Sequence, residues 1–132
     1  MKSDFYREVA RKAVGFAGWD LLPGMLLVSS DGVLRSRVIS VDPYFAAIEG
    51  DGQPSLAVGG HPSDIPDFTD AATRGCLVEL ARRRHGPTTT AIASVDPSTG
   101  KVTDWYVGNN MRVICYADDE IEAYARALEI DP

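Results

Sequence analysis

The hydrophobic period changes several times along the chain, and each change marks an element. From Ser3 to Phe16, the residues Phe5, Val9, Ala13 and Phe16 recur at helical spacing, while Arg7, Glu8, Arg11 and Lys12 take the other side. Ser3 can cap this helix, Asp4 lies where the helix dipole favours an anion, and Gly15 and Gly18 end it. "WDLLPGM" follows as a connector that turns at Pro23-Gly24. The period then falls to two. "MLLVSS" and "VLRSRVISV" flank Asp31-Gly32, and "YFAAIE" and "PSLAV" flank "GDGQ", so three or four antiparallel strands joined by tight hairpins are expected.

Gly59 to Phe68 is polar and proline-rich and reads as a crossing loop. The stretch "PDFTDAATRGCLVELARRRHG", Pro66 to Gly86, returns to helical spacing. Ala72, Cys76, Leu77, Leu80 and Ala81 form its apolar face, Thr69 or Asp67 can cap its start, and Gly86-Pro87 stops it. Three strands rich in Thr, Val, Ile and aromatics come next, "TTTAIASVD", "KVTDWYV" and "MRVICYA", with turns at "PSTG" and Gly108-Asn109-Asn110. The last element, "DDEIEAYARALEI", opens with Asp119 and Glu122 in capping-box spacing and carries Ile121, Tyr124, Ala125 and Leu128 on one face. The expected fold is α+β in a single domain over residues 1–132. It comprises an N-terminal helix, an antiparallel strand meander, a central helix, a three-stranded antiparallel meander and a C-terminal helix.

Composition narrows the class of protein. The 132 residues are 45% apolar and 24% charged, which are globular values. Thirteen Lys and Arg against nineteen Asp and Glu leave a net charge of −6, which argues against general nucleic-acid or anionic-membrane binding, since both rely on a positive field. It suits docking onto a basic partner surface. No apolar run approaches the roughly 20 residues that span a bilayer. The N-terminus lacks the apolar core of a signal peptide, so a cytoplasmic location is expected. Cys76 and Cys115 are expected as unpaired thiols in a reducing compartment.

Candidate chemistry is sparse. His61, His85, Cys76 and Cys115 could in principle hold zinc, yet no two of them have the close spacing that presets half of a structural zinc site, and no metal or cofactor is expected. A cysteine nucleophile would need one of these imidazoles folded against it; Cys76 and Cys115 instead read as small core residues. Acids at helix starts, such as Asp118 to Glu120, have an electrostatic reason to be there. Arg82, Arg83, Arg84 and His85 fill the last turn of the central helix, where free carbonyls favour cations. With Arg74 they form the alternative, a phosphate-binding strip. Among the aromatics, Trp19 and Tyr44 are the candidate interface anchors if exposed.

"LPGM" (Leu22 to Met25), Asp31-Gly32, the segment from Pro66 to Leu77 and the closing Glu/Ala-rich helix together resemble a group of small phage and prophage proteins. These proteins share a Pro-Asp-hydrophobic-Thr-Asp-x-Ala-Thr-x-Gly-Cys-Leu motif, carried here by Pro66, Asp67, Thr69, Asp70, Ala72, Thr73, Gly75, Cys76 and Leu77. The layout is more loosely similar to the phage ABA sandwich domain. The group often ends this helix in a mixed Arg-Glu-Ala sequence, so the run Arg82 to His85 is a departure from it. The resemblance implies a phage accessory role in the bacterial host, inhibition of a defence system (anti-CRISPR-like) included. The leading expectation is therefore a non-enzymatic protein that binds a host or phage protein. Its candidate contacts are the loop acids Asp42, Glu49, Asp51, Asp64 and Asp67 together with Trp19 and Tyr44. A direct nucleic-acid binder and a small cysteine-dependent enzyme are the alternatives, and a homodimer closing an open sheet edge is compatible with the first.

Overall fold

In a computed structural model of the chain, the backbone is described for residues 2–28, 35–41, 46–50, 53–57 and 65–132, and side chains for residues 3–28, 36–38 and 65–132. The elements are α1 (Lys2–Ala13), β1 (Leu26–Val28), β2 (Arg35–Val41), β3 (Ala46–Gly50), β4 (Gln53–Ala57), β5 (Ile65–Pro66), α2 (Ala71–His85), β6 (Thr90–Val95), β7 (Val102–Gly108), β8 (Val113–Ala117) and α3 (Glu120–Ala127). The expected α+β class and the order of helices and strands hold.

Two antiparallel sheets form. The first has the order β4-β3-β2-β1-β5 and the second β6-β7-β8. The strands flanking Asp31-Gly32 pair as a hairpin requires, Val28 opposite Arg35, and those flanking "GDGQ" pair Gly50 with Gln53. Asp31, Gly32 and Asp51 themselves lie outside the described residues. The first sheet has a fifth strand that periodicity did not reveal. Ile65–Pro66, read as loop and helix start, pairs with β1 through Leu27↔Pro66 and Val28↔Ile65. The residue before a proline is held extended, and a proline is tolerated on an edge strand because its missing N–H removes no interior ladder bond.

Helix α3 lies against all three strands of the second sheet and also meets α1 and α2, so it joins the layers. It runs parallel to α1: the Tyr6 hydroxyl donates to Asp119 at one end (2.9 Å), and the Gly18 amide donates to the Leu128 carbonyl at the other (3.0 Å). This position explains why Ile121, Ala123, Tyr124, Ala125, Ala127 and Leu128 are all buried, a wider face than the expected stripe. Asp119 caps α3 as expected, accepting from the amides of Ile121 and Glu122. In α1, the buried set is Tyr6, Val9, Ala10 and Ala13, with Phe5 turned outward, and Ser3 lies inside the helix instead of capping it.

Helix α2 starts later than expected, and Asp70 is its N-cap instead of Thr69 or Asp67. The Asp70 carboxylate accepts from the Thr73 amide (3.0 Å) and hydroxyl (2.8 Å), and Arg37 from β2 grips both its oxygens at 3.1 Å. Asp67 closes the preceding turn, accepting from the Thr69 amide at 3.0 Å. Thr73 replaces Ala72 on the buried face. Its hydroxyl oxygen, while donating to Asp70, accepts from the Leu26 amide of β1 at 2.8 Å, so a polar residue occupies a fully buried position with its hydrogen bonds made. Arg37 also donates to the Gly24 carbonyl (2.7 Å), where Gly24 at φ 99° forms the turn of "LPGM". The Gly24 turn and the start of α2 therefore meet in one network. At the far end Gly86, at φ 107°, donates its amide to the Arg82 carbonyl and ends the helix as read.

Arg37 beside Asp70 holds that carboxyl down at about 2, chiefly through the ion-paired hydrogen bond. The folded value lies below the unfolded one of roughly 4, so the stability it adds is complete above that pH and disappears as pH falls towards 2. Arg37 is 41% exposed, so solvent screens part of the pair. Asp70→Asn should therefore cost about 1–2 kcal/mol near neutral pH and flatten the stability profile between about pH 4 and 2, as measured by urea unfolding across pH.

Candidate functional site

Each side chain at the basic end of α2 makes a hydrogen bond within its own chain. Arg82 Nε donates to the Thr89 carbonyl (3.0 Å), Arg83 Nε to Glu79 (3.1 Å), and Arg84 Nε to the Ile130 carbonyl (2.8 Å). His85 Nε2 lies 2.6 Å from the Ala127 carbonyl, and the carbonyl of His85 accepts from Asn109 Nδ2 at 2.9 Å. Arg74 donates to the Phe68 carbonyl (2.7 Å) and lies over the Tyr6 ring at 5.5 Å. Arg74, Arg82, Arg84 and His85 fasten α2 to the segment before it, the turn after it and the end of α3, while Arg83 pairs within the helix on its exposed side. They do not form a common open strip.

Neither thiol hydrogen-bonds to the described histidine. Cys76 Sγ, half-buried and not fully buried as expected, donates to the Pro23 carbonyl at 3.5 Å, and Cys115 Sγ to the Ala123 carbonyl at 3.3 Å. Burial pushes both thiols above their ordinary value, the opposite of what activates a nucleophile. Among the described residues no cluster of three His, Cys, Asp or Glu could hold a metal ion, and no helix is long and apolar enough to cross a membrane. His61 lies outside the described residues.

Of the candidate contact residues, Asp42, Tyr44, Asp51 and Asp64 lie outside the described residues, as does the side chain of Glu49 in β3. Asp67 is half-buried and turned into its own loop. Trp19 packs edge-on to Phe68 at 6.4 Å and against the core, so it serves as packing more than as an exposed anchor. A groove of about 410 Å³ runs between α1 and α3 over Val9 and Ala125. Its charged rim carries a Glu122–Arg126 pair at 3.8 Å.

The second sheet presents a surface that reading for motifs overlooked. Its inner face, Ala91, Trp105, Val107, Cys115 and Ala117, packs towards α3. Strand alternation sends the intervening residues outward. There Ile92, Tyr106 and Tyr116 stand opposite one another across all three strands. The tyrosine rings are 6.0 Å apart. Val95 opposite Val102, with Val113 at the other end, extends the apolar area. Ile92 is 43% exposed, Tyr116 57%, and Met111 in the β7–β8 turn 84%. Asp104 is the only charged residue in the three strands. A sheet with one face in water normally alternates apolar with polar residues; here the outward set is also largely apolar, with Ser94 and Asp104 its polar pair, and that is the sequence signal that could have found it.

Helix α3 also reaches both edges of this sheet. Tyr124 Oη accepts from the Ala91 amide of β6 (3.0 Å), and Arg126 donates to the Tyr116 carbonyl of β8 (2.9 Å). Each edge strand thus has a backbone group taken by the protein itself, which opposes extension of the sheet by another strand and leaves the face as the open surface.

No family model, curated protein or solved structure matches the chain.

Both thiols should react with an aromatic disulfide reagent more slowly than free cysteine at neutral pH, and His85→Gln should leave the rates unchanged. A fast-reacting thiol slowed by that substitution would restore the thiol–imidazole reading.

Proposed function

We propose that this is a non-enzymatic binding protein that acts by occupying the surface of another protein through the outer face of its second sheet. One observation carries the reading: a three-strand row of Ile92, Tyr106 and Tyr116 lies open, with Val95, Val102 and Val113 around it, in a chain that is 24% charged. Interface cores are depleted in charge and enriched in tyrosine and methionine, and this face has that composition. The absence of an activated thiol among the described residues is in keeping with it.

The resemblance to phage and prophage proteins supplies the setting: an accessory protein in a bacterial host, with a host protein as target, a defence complex included. The engagement of Arg74, Arg82, Arg83, Arg84 and His85 within the fold gives no support to the nucleic-acid alternative.

A photocrosslinking residue placed at Tyr116 in cells of the bacterial host should yield a discrete adduct with one protein, and Ile92→Glu should abolish it. The same residue placed at Arg83, on the exposed side of α2, should yield none. Equal, diffuse labelling from both positions would count against this surface.

A further inference from the structure

The outer face of the second sheet has one feature that its apolar row does not explain. Asp104 sits on the central strand, two residues from Tyr106 on the same face, with Ser94 opposite it on β6. Its carboxylate makes no hydrogen bond or ion pair among the described residues, and Arg112, at the other end of β7 beside Gly108 and Val113, is committed to the Asp131 carbonyl at 2.6 Å. A partner covering the tyrosine row would also take this carboxylate out of water. That is costly unless the partner brings a positive charge to it.

The same feature argues against a second copy of the chain as the occupant. Each copy carries a net charge of −6, and neither sheet offers a cation from within its strands to the other's Asp104. Area points the same way. Three strands about 4.8 Å apart, with some six residues each at a rise of about 3.3 Å, give a planar footprint of about 300 Å². A stable dimer buries about 800 Å² on each partner. Side-chain relief enlarges the footprint, yet the strands by themselves fall short.

Resting on the reading of this face as a docking surface, we infer that its occupant is a short segment of another protein that pairs an aromatic or branched aliphatic side chain with an arginine or lysine. The apolar side chain lies on the Tyr106–Tyr116 pair, and the cation meets Asp104. An arginine suits the site well, since its guanidinium can bind the carboxylate through two hydrogen bonds and stack on a tyrosine ring at once.

The test uses the full chain, immobilised, and a displayed library of random linear and disulfide-looped peptides as the probe. Selected peptides should combine an aromatic or aliphatic residue with a nearby Arg or Lys. They should lose roughly tenfold or more in affinity for Tyr116→Ser and for Asp104→Asn, and bind more weakly as salt rises. Both substitutions lie at solvent-exposed or half-exposed side chains, and an unchanged unfolding midpoint shows that they act on binding alone. Peptides sensitive to Tyr116→Ser but indifferent to Asp104→Asn would overturn the basic-segment inference and leave the surface standing. Peptides indifferent to both, or no selectable peptide at all, would overturn the surface as well. Sedimentation equilibrium should show a monomer at high micromolar concentration; a dimer dissolved by Tyr116→Arg would make a second copy the occupant and refute the inference.

Discussion

The bidentate contact between Arg37 and Asp70 sets how α2 meets the first sheet. Asp70 starts α2 by capping it, while Arg37 belongs to β2 and holds the Gly24 turn before β1. Thr73, wedged between the Asp70 carboxylate and the Leu26 amide, makes the same connection from within the helix. One helix end, two strands and a turn are thus fixed by three side chains. The network links a charged pair to a buried hydroxyl, so removing Asp70 leaves both Arg37 and the Thr73 hydroxyl without their shared partner. Once α2 is placed, its basic end ties it to α3 and to the turn before the second sheet, and α3 in turn supports that sheet.

This chain of dependence separates two kinds of work. The motif from Pro66 to Leu77 is spent on architecture: Pro66 pairs with β1, Phe68 fills the core, Asp70 and Thr73 form the hub, and Cys76 rests on the Pro23 carbonyl. The second sheet is held from one side only. Trp105, Val107 and Cys115 pack inward, and α3 reaches around both edges, so the outward row owes little to the core and is free to meet another surface.

Much of the architecture was legible in the sequence because periodicity and turn chemistry agreed. The two hairpins, the three late strands and the caps at Asp119 and Gly86 all carry local signals that tertiary contacts did not override. What escaped was decided at a distance. The choice of Asp70 over Asp67 as the cap follows from Arg37, thirty-three residues away, and β5 exists only because β1 offers it an edge. Thr73, left off the apolar face in favour of Ala72, is buried because the Leu26 amide supplies its partner. The candidate surface was missed for a different reason. Reading for motifs seeks acids, bases and nucleophiles, whereas Ile92, Tyr106 and Tyr116 become a site only when strand register lines them up.

The central claim is that this row lies outside the structural core, and the unfolding free energy of the triple variant Ile92→Thr, Tyr106→Thr, Tyr116→Thr tests it most directly. Threonine keeps the preference for strands while removing the apolar surface. If the face is open for a partner, the variant loses less than about 2 kcal/mol in total, the worth of a few cross-strand contacts. A loss of more than about 5 kcal/mol, as from truncating packed core residues, would show that the row belongs to the protein's own interior and would contradict the account.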